Sequence, residues 1–436
     1  MATPMITPRS PRLRRPVPLL LAPILAALGV CAVLPGLAAA QVLPAASPEA
    51  VGMSSHRLLR LDDAMQREVA DGRLPGAVVA IARRGKLVYH EAFGRLSPGG
   101  PPMRKDAIFQ IASMTKPLTT VGALMLQEEG RLLLNDPVDA YLQELAGLSV
   151  AVMSGDGQRV VRTEPLRRHV TLADLFQHTA GIPNGFVGST DLHLRYQPIA
   201  PAQNPRMTGE AFLAGLRALP LHFQPGTEWE YGWGIDVAGL VLERITGQSL
   251  DRLLAERLFG PLGMTDTGFV IPVSKAERYA PAPASGERAA VDATAPRAMA
   301  CGGACAVSTA MDYLRFAQML LNRGVLGDTR LLSRTSVEAM TADQLGAGVR
   351  RDRLNAYGAL NGGYGFGLSV AVRSATGVAG MMGTAGDYHW GGGVGTYFWV
   401  DPQEELAVVF MTAAPPEARL RPRQLLPALV LQAIVD

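Results

Sequence analysis

Cysteine and lysine are both scarce in this chain of 436 residues, with three of the first and four of the second. Cys31 falls in an N-terminal apolar stretch, which leaves Cys301 and Cys305 in the run Cys301-Gly302-Gly303-Ala304-Cys305. No CxxC or HExxH accompanies them, so the usual zinc signatures are absent and no metal site is read. Spacing alone leaves two readings open: a disulfide that pins the glycine loop in an oxidising compartment, or two free thiols. An excess of one charge is missing as well. The formal net charge is +3, and four arginines of the first forty residues outweigh it. Nothing therefore points to nucleic acid as a partner. Beyond residue 40 no apolar run is long enough to span a bilayer, and the last one, Leu425 to Val435, is broken by Pro427. There is no internal repeat, and no signal for an oligomeric state.

What is present begins with a leader. Arg9, Arg12, Arg14 and Arg15 precede an apolar stretch from Val17 to Leu37, and Ala38-Ala39-Ala40 offers a small-residue cleavage site before Gln41. This order reads as a signal peptide over 1–40. Prolines at 18, 23 and 35 argue against a retained spanning helix. The expectation is a periplasmic or secreted protein with no stable membrane span after cleavage.

Further along, Leu58, Leu61, Met65 and Val69 keep helical spacing. Ala77 to Arg83 and Lys86 to Phe93, joined at Arg84-Gly85, predict a β-hairpin. A long, mostly helical middle follows, with a loop from Lys275 to Arg297. Strands return at Tyr364 to Val372, Tyr388 to Gly391, Thr396 to Val400 and Leu406 to Met411, and a helix from about Pro422 to Ile434 closes the chain. Strands at both ends with helices between predict an α+β fold with one antiparallel sheet built from both termini. The boundaries expected are 41–130 and 326–436 for the two parts of an α/β domain, with a mainly helical inserted region over 131–325.

The run Ser113-Met114-Thr115-Lys116 carries chemistry. Serine and lysine three apart lie on one helix face, one turn from each other. A serine hydroxyl is a poor nucleophile until a neighbour takes its proton, and an amine of lowered pKa can do so. Ser113 falls at a predicted helix start, where the macrodipole favours developing negative charge. Pro117 suits a first helical turn, and Val121, Leu124 and Met125 read as the buried stripe. Four lysines meet a serine three positions upstream by chance in roughly a quarter of chains, so the pair alone is weak.

Other segments raise it. The hairpin followed by Ser-Met-Thr-Lys resembles the serine β-lactamase and penicillin-binding-protein superfamily. Thr171 to Pro183, with His178-Thr179-Ala180-Gly181, is similar to that family's Leu-Leu-x-His-Thr-Ser-Gly stretch. Phe223 to Tyr231 and Val241 to Gly247 resemble its second-motif region. Pro261 to Thr267 and Val307 to Asp312 match its later blocks. Trp390-Gly391-Gly392 and Gly395 to Pro402 sit where its third motif and last strands belong. The nearest branch resembles the β-lactamase-like (family VIII) carboxylesterases, with class C β-lactamases and D-amino-acid peptidases as cousins. The resemblance implies an acylated Ser113, with Lys116 and Tyr231 passing its proton, and no cofactor. It implies oxyanion donors at the Ser113 N–H and near Gly393, in the run Gly391, Gly392, Gly393. His178 is expected to bond locally at a helix end and not to catalyse.

Two departures shape the expected substrate. Where many relatives carry Tyr-x-Asn this chain has Tyr231-Gly232-Trp233, and where they carry Lys-Thr-Gly it has Trp390-Gly391-Gly392 after His389. Losing a charge-assisted contact of roughly 1.5–3 kcal/mol would weaken β-lactams or peptides about ten- to a hundredfold. Trp233 and Trp390 are expected to line an apolar acyl pocket, while a protonated His389 could still meet an anion. The reading is an exported serine hydrolase acting on small carboxylic esters (EC 3.1.1). The alternatives are a β-lactamase or D-Ala-type peptidase, and a non-catalytic binding relative.

Overall fold

The computed structural model describes residue 2 and residues 43–282, 292–358, 360–415 and 417–436. The predicted leader, Ala2 apart, and residues 283–291 of the predicted loop lie outside the described residues. In chain order the elements that build the site are α1 (Ser55–Ala70), β1 (Gly76–Arg83), β2 (Lys86–Gly94), α2 (Thr115–Glu128), α3 (Leu172–Gln177), α4 (Gly234–Thr246) and α5 (Ala310–Leu321). They are followed by β3 (Tyr364–Phe366), β4 (Ala371–Arg373), β5 (Tyr388–Gly391), β6 (Tyr397–Asp401), β7 (Leu406–Thr412) and α6 (Leu420–Leu431).

The seven strands form one antiparallel sheet in the order β3-β4-β5-β6-β7-β1-β2, so strands from both chain ends meet at β7 and β1. The α+β architecture expected from the sequence is the one observed. The β1–β2 turn places Arg84 and Gly85 both at positive φ, 52° and 72°, the twist a two-residue hairpin needs. Every residue of β1 is buried, because helices cover both faces of the sheet. Alternation decides which layer each side chain joins. Ala77, Val79 and Ile81 pack with Leu58, Leu61 and Met65 of α1 and with Leu426 and Val430 of α6. Val78, Ala80 and Ala82 face the other way, into the core that holds Phe316 of α5, the helix that packs against β1.

Three segments differ from expectation. Tyr364 to Val372 is two short strands, not one. Gly367 donates its N–H to the Val370 carbonyl, and Ser369 turns the chain at φ 69°. The mainly helical middle also contains a hairpin, Ser149–Met153 against Val160–Pro165. And α2 has no solvent face over its first three turns: Thr115 through Leu126 are all buried. The predicted stripe is part of a helix that runs through the interior. Among the described residues no helix is long and apolar enough to cross a membrane.

Phe398 on β6 is fully buried beneath α5. Its replacement by alanine is expected to lower the unfolding free energy by about 3–5 kcal/mol. Urea denaturation of the two proteins checks this.

Candidate active site

The site forms where α2, the start of α4 and the β5–β6 turn converge. A short strand, Ile108–Gln110, pairs with Val307–Ser308 and delivers the chain to a 3₁₀ turn, Ala112–Met114, just ahead of α2. Ala112 sits at φ 44°, outside the comfortable region for an L-residue. Three bonds hold that turn. Ile111 donates to the Ala306 carbonyl at 3.0 Å, the Thr115 hydroxyl to the Ala112 carbonyl at 2.7 Å, and the Tyr313 hydroxyl to the Met114 carbonyl at 2.8 Å. The result leaves Ser113 partly exposed on the wall of a cleft, while Lys116 behind it is buried.

Lys116 Nζ lies 3.4 Å from Ser113 Oγ and donates to the Gly303 carbonyl at 2.8 Å. Tyr231 Oη donates to Ser113 Oγ at 2.6 Å, and the lysine amine stands 4.6 Å from the centre of its ring. The three residues singled out from sequence therefore meet. Burial lowers the Lys116 pKa to about 8, with the nearby Asp236 carboxylate pulling the other way. Burial also raises the Asp236 carboxyl to about 6, opposed by Lys116 and by the Gly303 N–H at 3.0 Å. The Tyr231 phenol goes above its ordinary value, again through burial first. Between pH 6 and 8 the phenol thus stays protonated while the amine begins to lose its charge.

Tyr231 precedes α4 and is held by its surroundings. Tyr357, Trp390 and His178 lie against its ring at 5.1, 5.6 and 4.7 Å between centroids. His178 is at the C-cap of α3, in the left-handed region, and its Nδ1 accepts the Gly232 N–H at 3.3 Å. Burial drops its pKa well below normal, so it is a neutral local hydrogen-bond partner of the Tyr231 segment, as expected.

The cleft encloses about 580 Å³ and is lined by Ser113, Tyr231, Phe186, Tyr357, Trp390 and Gly391 to Gly393, among others. Gly392 gives its N–H to the Thr396 carbonyl at 2.8 Å. A Cβ there would stand 2.4 Å from the Ile111 carbonyl, so glycine alone lets the β5–β6 turn lie against the nucleophile turn. Of the three glycines, Gly392 has its N–H committed to the turn, and Gly393 remains the candidate for the second oxyanion donor.

Two expectations need correction. Trp233 does not line the cleft: it caps α4 and packs edge-on against Phe186, which is the residue that does line it. His389 lines the cleft but cannot meet an anion as a cation. Burial, then the charges of Arg373 and Arg423, bring its pKa to about 3. The cations at the cleft are Arg419 and Arg423, at and within the start of α6, which the sequence reading missed. Arg423 donates to the Gly392 and Thr396 carbonyls and Arg419 to the Gly393 carbonyl. Asp236 was also missed. Its only signal was an acid inside the apolar run that follows Tyr231.

Histidines that show no ligand spacing in sequence do gather in space. His193, His222 and Glu230 lie together, buried, one residue before Tyr231. They bond each other, with His193 Nε2 at 3.0 Å and His222 Nδ1 at 2.7 Å from the carboxylate, and Arg353 stands at 3.4 Å. Burial alone would raise the Glu230 pKa, but these partners hold it at about 2. The carboxylate's charge is met within the protein, and the cluster anchors the backbone beside Tyr231. Cys301 and Cys305, whose pairing the spacing left open, form a disulfide.

Comparison with known proteins identifies the family. Residues 61–431 match the family model described as Beta-lactamase. Protein Rv1367c of Mycobacterium tuberculosis is 36% identical over 361 residues, covering 79% of this chain and 87% of that one. Esterase EstB of Burkholderia gladioli is 31% identical over 378 residues, covering 81% and 89%. Among solved structures, EstCE1, "a hydrolase with promiscuous acyltransferase activity", superimposes with a TM-score of 0.72 at 25% identity, over 87% of this chain and 99% of the other. Fold, site and relatives together place this chain in the β-lactamase family, on the side that includes esterases.

Proposed function

We propose that the protein hydrolyses carboxylic esters through an acyl-Ser113 intermediate. One observation carries the reading: the Lys116 amine and the Tyr231 phenol converge on a single serine hydroxyl in a cleft whose walls include Phe186, Tyr357 and Trp390. Neutral Lys116 takes the Ser113 proton as Oγ attacks the ester carbonyl. The oxyanion is met by the Ser113 and Gly393 N–H groups. The Tyr231 phenol passes its proton to the departing alkoxide and is reprotonated from the lysine ammonium. Water then attacks the acyl-serine by the reverse relay, releasing the acid. The raised phenol pKa supports Tyr231 as donor and relay, and the lowered amine pKa supports Lys116 as base. The leader-like residues 1–40 and the cystine support export to an oxidising compartment. Mass analysis of the exported chain is expected to find its start at Gln41, and an unprocessed N-terminus would count against export.

A second reading, cleavage of a carboxylate-bearing amide such as a β-lactam or D-Ala-D-Ala peptide, is favoured by the guanidinium groups of Arg419 and Arg423 at the cleft. A fluorophosphonate is expected to leave one adduct, on Ser113, and its absence would favour a binding relative. On p-nitrophenyl butyrate, nitrocefin and a D-Ala-D-Ala peptide, the ester is expected to have the highest kcat/KM. A clear win for the amides would overturn the choice. Arg419→Ala is expected to weaken carboxylate-bearing substrates about ten- to a hundredfold more than neutral esters.

The pH profile tests the base. With the amine at about 8, only about a tenth of the molecules hold it neutral at pH 7, so kcat/KM should rise with pH through about 8. The Asp236 carboxylate favours the ammonium, so Asp236→Asn should move this limb to lower pH. Lys116→Met should abolish the limb and cost about 10²–10⁴ in kcat/KM. A limb that stayed in place in Asp236→Asn would show that another group titrates.

A further inference from the structure

The five-residue ring closed by Cys301 and Cys305 touches the catalytic centre through three backbone groups. Gly303, between the two sulfurs, accepts from Lys116 Nζ at 2.8 Å, the lysine's shortest polar contact. The N–H of the same residue donates to Asp236 Oδ1 at 3.0 Å, so one residue links the amine to the carboxylate that tunes it. The Gly302 carbonyl accepts the Thr119 hydroxyl at 2.8 Å, close to one turn along α2 from Lys116. Just past Cys305, Ala306 donates to Thr115 Oγ1 at 3.0 Å and accepts from Ile111 at 3.0 Å, gripping the turn that holds Ser113. The ring has no slack. A Cβ on Gly302 would stand 2.8 Å from the Ile235 carbonyl, and one on Gly303 would stand 2.3 Å from Asp236 Oδ2. Two glycines in succession are the most flexible backbone a loop can have, and nothing in their side chains can hold them. The crosslink supplies what they lack, because it restricts the loop to conformations near this one.

We propose that the Cys301–Cys305 disulfide is a positioning element for the catalytic lysine, and that its reduction disables acylation of Ser113 without unfolding the protein. This rests on the roles proposed above for Ser113 and Lys116. The chemistry of release is ordinary exchange with a dithiol. A thiolate of the reductant attacks Cys305 Sγ, the half-buried sulfur, and Cys301 leaves as a thiolate that takes up a proton. The second thiol of the reductant then displaces Cys305 from the mixed disulfide. The cystine has gained two electrons and two protons, and the dithiol has become its disulfide. With the ring open, the Gly303 carbonyl leaves the amine and water reaches it. The pKa of Lys116 then climbs toward that of an exposed lysine, and the neutral base becomes rarer at neutral pH.

The test compares the full-length enzyme as purified, the enzyme after dithiothreitol, and the double variant Cys301→Ser/Cys305→Ser. The readouts are the rate of fluorophosphonate labelling of Ser113 across pH, the free thiol count, and the melting temperature. The reduced enzyme, with two free thiols, and the double variant are both expected to label at least tenfold more slowly at pH 7. Their acid limb should lie at higher pH, and both should stay folded at the assay temperature. Dithiothreitol should leave the double variant unchanged. Labelling at the oxidised rate with an unmoved limb in the double variant would overturn the proposal. So would loss of fold at the assay temperature in both reduced and variant forms, since the crosslink would then be a general stabiliser. Failure of the oxidised enzyme itself to label is a different result: it strikes the proposed function, and this inference falls with it.

Discussion

A lysine amine placed where water does not reach is the constraint on which this structure turns. Burying a full charge is costly unless it is partnered, and a protein commonly resolves the conflict by letting the group go neutral. Here the resolution is partial. The amine has a carbonyl at 2.8 Å and a carboxylate nearby, enough to keep the ammonium accessible, yet its pKa is drawn to about 8. A base for a serine hydroxyl needs that intermediate state. Fully partnered, the amine would stay protonated; wholly unpartnered, it would be a weaker base. The Asp236 carboxyl, itself raised to about 6, is under the same tension. Each group holds the other near the pH where both matter.

Burial of this kind requires a helix without a wet face. Thr115 through Leu126 are enclosed because α2 packs against α4 and the helical segment after it, inside the same apolar core as Val78 and Ala80 of the sheet. The sheet in turn joins strands from the two ends of the chain, which meet at β7 and β1 over seven residue pairs. The nucleophile turn, the Tyr231 segment and the β5–β6 glycines arrive from distant parts of the sequence. Each is fixed by its own contacts: the Ala306 grip on Ile111 and Thr115, the His193–Glu230–His222 cluster, and the Gly392 approach to Ile111. None of the three segments brings its catalytic group to the cleft by local geometry alone.

That division explains what the sequence made legible. Periodicity of two and of 3.6 reports which faces are apolar, so β1, β2, α1 and the last strands could be read with nearly their observed limits. Ser113 and Lys116 could be paired because one helical turn relates them. Asp236 could not, because its partner is 120 residues away and its only mark was an acid among Ile235, Val237 and Leu240. Residues 364–372 looked like one strand because their apolar character continues through a turn that Gly367 and Ser369 make. Trp233 was assigned to the cleft from its chemistry, but its indole packs behind Phe186, and chemistry does not report depth. His389 looked like a usable cation because sequence conveys neither the burial nor the two arginines that keep it neutral. The disulfide was one of two outcomes that five residues of spacing allow, and only the fold chooses between them.

The departures from the family's motifs take on a different meaning once the cleft is assembled. Replacing Lys-Thr-Gly by Trp390-Gly391-Gly392 removes a positive charge from β5, yet the cleft is not left without one. Arg419 and Arg423 approach the same glycines from α6, each giving one nitrogen to the Gly392, Gly393 and Thr396 carbonyls. Charge that sits on a strand beside the nucleophile can orient a substrate carboxylate directly. Charge engaged with backbone carbonyls at the cleft wall is weaker as a ligand for substrate and stronger as a brace for the turn that carries the Gly393 N–H. Trp390, Tyr357 and Phe186 add aromatic surface to the same cleft. Shape and aromatic surface can then select a substrate without a strand-borne charge, which is the kind of selectivity an ester, with no obligatory ionic group, allows.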